Sequence, residues 1–336
     1  MPSYNAQSFL WQNIPTFLYD GAEGSIEVII VDDGSEDDTA GIADDLRNRY
    51  PGIVNVIHKK NGGHGSAVNS GIENARGKYF MICDADDYVN TDSFRKLVDY
   101  LKEYDADIVL TDARRITPDG KYAGHESVSG IDKNRIMKFD DCVDKIRNIE
   151  MHNCCIRTEL LRTNNVSCHE HLFYVDNEYV VYSLAYADTI VYLDLTVYQY
   201  LVGRNGQSVS IESRRRNHEQ YMTVVNYLVG FYEDVSWNLS EPKKRFIARK
   251  IAYFITGVYS VMMSYRDAPH KNALEQFDGW LREKSIDIYN GNNNICVTML
   301  RRTNMGMYGM ASMIYRTVNR SVSYTHLRAH ETGRNL

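Results

Sequence analysis

Two clusters of aspartate stand where short apolar runs stop. Ile26-Glu27-Val28-Ile29-Ile30-Val31 leads directly into Asp32-Asp33-Gly34-Ser35, and Tyr79-Phe80-Met81-Ile82-Cys83 leads into Asp84-Ala85-Asp86-Asp87. Short runs that are almost wholly apolar read as strands buried on both faces. In an open parallel sheet, ligands sit beyond the carboxyl ends of the strands. Five carboxylates converging on one edge repel one another unless something neutralises them. A hard divalent cation bound through oxygen does so. Magnesium or manganese held in this way needs further oxygen ligands, which a diphosphate supplies. The residues alone therefore point to a metal–nucleotide site. The alternative is that some of these acids only cap the helices that follow. That fits Asp38 and Asp92, and fits Asp84 and Asp86 poorly because they lie directly at a strand's end.

The elements that must position these acids alternate. Ile53 to Ile57 reads as a second strand, and Ser35 with Asp38 as a capping box opening a helix over 36–50. The loop Asn61-Gly62-Gly63-His64-Gly65-Ser66 precedes a helix reaching about Arg76. A helix over 92–104 and a strand from Ile108 to Leu110 follow. This alternation predicts an α/β fold with a mostly parallel sheet flanked by helices. After Asp112 the rhythm is lost. Pro118-Asp119-Gly120 signals a turn, and Thr189–Leu193 and Thr196–Leu201 read as strands. From about 215 to 320 the pattern is helical. Two regions are expected, an α/β domain over 1–210 and a helical C-terminal segment over 211–320.

Composition narrows the function. The 336 residues carry a net charge of −6, with 43% hydrophobic and 24% charged residues. That is ordinary for a soluble globular chain, and its acidity argues against a general nucleic-acid binder. The six cysteines form no C-x-x-C pair and read as free thiols in a reducing cytoplasm. Ile251 to Tyr265 is apolar but reads as too short to span a bilayer. Lys243, Lys244, Arg245, Arg249 and Lys250 precede it. They form either a solvated basic face or a surface for peripheral contact with an anionic membrane. Gly63-His64-Gly65 lacks the third glycine of a dinucleotide loop. Cys168, His169, His171, His152, Cys154 and Cys155 fit no usual zinc spacing.

Several segments resemble family 2 glycosyltransferases. They are Pro2-Ser3-Tyr4-Asn5, Val31-Asp32-Asp33-Gly34-Ser35, Gly65 to Ile72 (G-S-A-V-N-S-G-I), Gly77-Lys78-Tyr79-Phe80 and Asp84-Ala85-Asp86-Asp87. Their order and spacing match along about 110 residues. The resemblance implies the GT-A nucleotide-diphospho-sugar transferase fold. It implies that Tyr4 stacks on the nucleobase and that Asp33, with Asp32, bonds the base edge. Asp84 would contact ribose or metal, Asp86 would hold Mn2+ or Mg2+ on the diphosphate, and Asp87 would assist. His64 is a phosphate candidate or a plain loop histidine.

The segment 169–179 (H-E-H-L-F-Y-V-D-N-E-Y) resembles the stretch that usually reads Glu-Asp in this family, with Val175 in place of the first acid. Asp176 is therefore the candidate general base, with a helix cap as its structural alternative and Glu178 in reserve. Tyr198 to Ser210 resembles the family's downstream segment, where Arg204 faces either phosphate or a salt bridge. The chain begins where the family's first strand should be ending, so a truncated first strand is expected. Ser321 to Thr332 resembles a translated sequencing adapter, and 321–336 is expected to be a non-native tail.

The implied activity is inverting transfer from a nucleotide-diphosphate sugar donor, UDP-linked, to a glycan or lipid-linked acceptor. Bacterial surface-polysaccharide synthesis, in the cytoplasm or at the inner face of the membrane, is the implied setting. The rivals are a non-catalytic nucleotide-sugar or glycan-binding protein and a nucleotidyltransferase. The latter needs a basic Gly-rich loop that the segment after Tyr4 does not contain.

Overall fold

The computed structural model describes residues 1–317 apart from Ser129, 204–206, 208 and 209. Arg204 and the suspected tail lie outside the described residues. The chain divides into two compact units near residue 204, with 239–243 belonging to the first.

The first unit contains two sheets. One comprises β1 (Pro2–Ser3), β2 (Val28–Asp32) and β3 (Val54–His58) in that order, parallel throughout. All five residues of β2 are buried, as its apolar run requires. The helix Thr39–Arg49 links β2 to β3 and turns Thr39, Ala43 and Leu46 inward at helical spacing. The second sheet contains β4 (Tyr79–Phe80), β5 (Tyr88–Val89), β6 (Ile108–Ile116), β7 (Tyr122–Glu126), β8 (Ile136–Lys138), β9 (Cys154–Arg157) and β10 (Thr189–Leu201). Its order is β4-β9-β6-β10-β5, with β7 on β6 and β8 on β10. Leu10, Ile14, Ile30, Leu46, Leu97 and Val109 share one core.

The expected mostly parallel sheet is therefore refined. Among the named strands of the second sheet, over the described residues, β6 and β10 run parallel and the other pairings are antiparallel. The alternation of strands and helices holds as far as β6, apart from the direct link between β4 and β5, with the helices His64–Asn74 before β4 and Thr91–Glu103 before β6. Beyond it, strands return by short links, as where β6 turns through Pro118-Asp119-Gly120 into β7. Two expected strands merge into β10, whose register shifts between Tyr192 and Tyr198. The expected capping box is absent. The helix starts at Thr39, Asp38 makes no side-chain cap, and Asp37 Oδ1 accepts from Thr39 N–H instead. Asn90, not Asp92, caps the helix Thr91–Glu103.

An apolar cavity of about 600 Å³ lies among residues of both sheets, including Met1, Val31, Phe80, Ile82 and Leu97. None of the aspartates lines it, so its size does not mark the chemistry.

The second unit is helical over its described residues, with His218–Val235, Ala268–Lys284 and most of Glu241–Met263 as its long helices. Glu241–Met263 is long and apolar enough to cross a membrane by length and composition, which corrects the shorter expectation. However, 78% of its apolar window is buried inside the protein. The basic run is not one exposed face either, because Lys243 and Lys250 are buried. Lys243 Nζ instead donates to Ala185 O at 3.4 Å.

The helix His64–Asn74 follows β3 and is fixed at its carboxyl end by Arg162. That guanidinium donates to Ile72 O at 2.7 Å, Glu73 O at 3.0 Å and Ala75 O at 2.5 Å. These carbonyls have no partner within the helix. Arg162→Met is expected to cost about 1.5–3 kcal/mol, the range for hydrogen bonds to a charged group. A lowered urea midpoint with an unchanged slope would be the sign of it.

Candidate active site

Three carboxylates meet after β4. One oxygen from each of Asp84, Asp86 and Asp87 lies within 4.8 Å of the others. An all-carboxylate set suits a hard cation such as Mg2+ or Mn2+. The three residues do not share one environment. Asp87 is 1% exposed, and its oxygens accept from Tyr198 O–H and Leu201 N–H, both at 2.7 Å. Burial, then the charge of Asp84, pushes the Asp87 carboxyl well above the usual range. Asp84 is half-buried, with Oδ1 3.0 Å from His64 Nε2. Burial acts to raise its pKa too, but the hydrogen bond and charge of His64 outweigh it and hold the group low. Tyr198 joins the two acids, because its oxygen also accepts from Asp84 N–H at 3.2 Å.

The end of β2 is built differently. Asp32 and Asp33 are both buried. Asp32 accepts from Ser35 N–H at 3.0 Å, and its other oxygen lies 3.0 Å from His58 Nδ1. Asp33 accepts from Lys59 Nζ at 2.8 Å, Gly62 N–H at 3.0 Å and Gly63 N–H at 2.7 Å. Both carboxylates are engaged in fixing turns at this strand end. Tyr4 follows β1 and is 50% exposed, beside the end of β2 where Asp33 N–H donates to Ser3 O. His64 opens the helix His64–Asn74, facing Asp84.

Asp176 is the first residue of the helix Asp176–Tyr186, and Val175 occupies its N-cap. Its charge acts on His64, Glu178 and Tyr200. Glu178 does not fit the reserve role. It is fully buried and accepts from His169 N–H at 2.8 Å, with His169 Nδ1 3.0 Å from its other oxygen.

Several participants were given no individual role at this site by the sequence. Tyr198 and Tyr200 lie two apart on β10 and so share one face. His152 packs on both, with ring centroids 5.4 Å away in each case. Its Nε2 lies 2.5 Å from Glu126 Oε2, and Arg115 holds the other Glu126 oxygen. The Y-Q-Y spacing was the available signal for the tyrosines. The partners on β6, β7 and the turn Met151–Asn153 had none.

Residues 1–163 match the family model described as Glycosyl transferase family 2. Residues 1–163 thus carry a glycosyltransferase family 2 domain. The uncharacterized glycosyltransferase EpsJ of Bacillus subtilis is 38% identical over 109 residues, 32% of this chain and 31% of that protein. The poly(ribitol-phosphate) β-N-acetylglucosaminyltransferase TarS of Staphylococcus aureus is 23% identical over 285 residues, 82% of this chain and 48% of TarS. The chain thus spans from about a third to about half of these curated relatives. The crystal structure of TarS residues 1–349 with UDP-GlcNAc superposes with a TM-score of 0.62 at 18% identity, covering 90% of each chain. The fold is GT-A.

The Glu126 pair gives a pH prediction. Burial works to raise the Glu126 pKa, but His152 and Arg115 hold it at about 2, against an ordinary 4.5. A depressed folded-state pKa contributes stability that is complete above the unfolded value and is lost as pH falls through the folded one. Glu126→Gln is expected to lower the urea midpoint at pH 7, with the deficit shrinking between pH 4.5 and 2. A deficit independent of pH contradicts the ion pair as its cause.

Proposed function

We propose that this chain is a metal-dependent inverting transferase that moves a sugar from a UDP-sugar to a hydroxyl of a surface-glycan or lipid-linked acceptor. The observation that carries this reading is the Asp84–Asp86–Asp87 cluster in the link between β4 and β5 of a family 2 domain. TarS, whose printed name gives N-acetylglucosamine transfer and whose structure contains UDP-GlcNAc, supports the donor class.

Asp84 and Asp86 would hold Mn2+ or Mg2+, with Asp87 completing the cluster from behind. A bound cation would supply positive charge to the departing diphosphate. Tyr4 offers a half-exposed ring for the base to stack on. Asp32 and Asp33 contribute by fixing the turns around the nucleotide. Asp176 takes the proton of the acceptor hydroxyl as that oxygen attacks the anomeric carbon. The bond from that carbon to the β-phosphate oxygen breaks as the new one forms. A single displacement of this kind inverts the anomeric configuration. We place the reaction in the cytoplasm, which the free cysteines support, with the acceptor presented at the inner face of the membrane.

The competing reading, donor binding without transfer, draws on Val175, which stands where the family motif has an acid. Release of UDP from UDP-GlcNAc in the presence of Mn2+ separates the two. The wild type is expected to turn over slowly without acceptor. Asp176→Asn is expected to lose about 10²–10⁴-fold in rate while keeping UDP affinity within about threefold. No turnover by a folded wild type that binds UDP would favour the binding protein. Full activity in Asp176→Asn would remove Asp176 from its role.

A further inference from the structure

The segment that delivers Asp176 has little regular structure of its own. Between the helices Thr158–Thr163 and Asp176–Tyr186 the chain contains three non-glycine residues at positive φ: Asn165, His171 and Tyr174. What holds it is the amino-terminal half of the helix His64–Asn74. Asn69 makes a two-way bond with the Cys168 backbone: its Nδ2 donates to Cys168 O and its Oδ1 accepts from Cys168 N–H, both at 2.8 Å. Ser66 O–H donates to Glu170 at 3.0 Å, and His171 N–H donates to Gly62 O at 2.6 Å. The contact at Gly65 is closest. A Cβ there would lie 2.2 Å from His169 O and 3.0 Å from Cys168 Cβ. On the far side of the segment, Glu178 holds His169.

We propose that this helix face is the seat that sets the position of Asp176, so that Gly65 and Asn69 are positioning residues for proton transfer. The inference rests on Asp176 acting as the base. Neither Gly65 nor Asn69 belongs to the acidic cluster. Both act through the backbone of 168–171, which fixes where the next helix begins. The seat itself does not yield easily, because Asp33 holds Gly62 and Gly63 at one end and Arg162 holds the carbonyls at the other. A side chain at 65 must therefore displace the 168–171 segment.

The test is Gly65→Ala, with Asn69→Asp as a second variant that keeps one of the two amide bonds. UDP-GlcNAc hydrolysis with Mn2+ gives kcat and KM, UDP titration gives Kd, and hydrogen exchange reports the amides of 168–175. Gly65→Ala is expected to lower kcat at least 30-fold, with UDP Kd and donor KM within about threefold. Exchange at His169 and His171 should accelerate, and Asn69→Asp should show a smaller loss of the same kind. A folded Gly65→Ala with wild-type kcat overturns the proposal, as does a loss of UDP affinity that matches the loss of rate. If Gly65→Ala does not fold, Asn69→Asp decides by the same criteria. A wild type without hydrolysis would instead refute the proposed function. Exchange in the variants would then still show whether the helix seats the segment, and unchanged protection would refute the seat.

Discussion

The turn Gly62–Ser66 is the constraint on which the site depends. A helix amino terminus leaves backbone N–H groups without partners inside the helix. Here such groups and their neighbours are used to join separate parts of the chain. Asp33, at the end of β2, takes the amides of Gly62 and Gly63. His64 reaches Asp84 after β4. Gly62 O and Ser66 receive the segment that leads to Asp176. The glycines make this junction possible. Gly63 has φ of +84°, and a Cβ on it would meet the His171 backbone at 3.1 Å. Three carboxylate-bearing segments, far apart in sequence, converge on one turn whose glycines let the backbones approach closely.

Electrostatics then explains why the convergence points to a cation. Asp84 and Asp87 push against each other, and burial penalises both charges. The structure relieves the two acids separately. His64 keeps Asp84 ionised, and Tyr198 with Leu201 bonds Asp87, whose pKa nevertheless stays high. A divalent ion among the three carboxylates would lower that repulsion, and a diphosphate would complete its oxygen shell. The charge of Asp176 also acts on His64 and Tyr200, which lie beside this cluster.

The acids were legible because each group follows a short apolar run, although the second run is a strand only over Tyr79–Phe80 and reaches Asp84 without regular structure. β2, β3 and the helices that follow them were legible for the same local reason. The engagement of Asp32 and Asp33 was not, since their donors come from His58, Lys59 and the glycine turn, which meet them only in three dimensions. Glu178 looked like a reserve base because the sequence does not show that it faces inward onto His169. Tyr198 and Tyr200 lie over a hundred residues from Asp84, and only the pairing of β10 with β5 and β6 brings them to it. The antiparallel part of the second sheet was missed because a strand–helix rhythm carries no information about strands that return by hairpins.

The central claim is that Asp84 and Asp86 hold a divalent cation together with the donor's diphosphate. Calorimetric titration of UDP into the protein, once with Mn2+ and once with EDTA, tests it most directly. The account predicts binding at least tenfold tighter with Mn2+, and loss of that difference in Asp86→Asn. Equal affinity with and without metal, or an undiminished metal effect in Asp86→Asn, would contradict it.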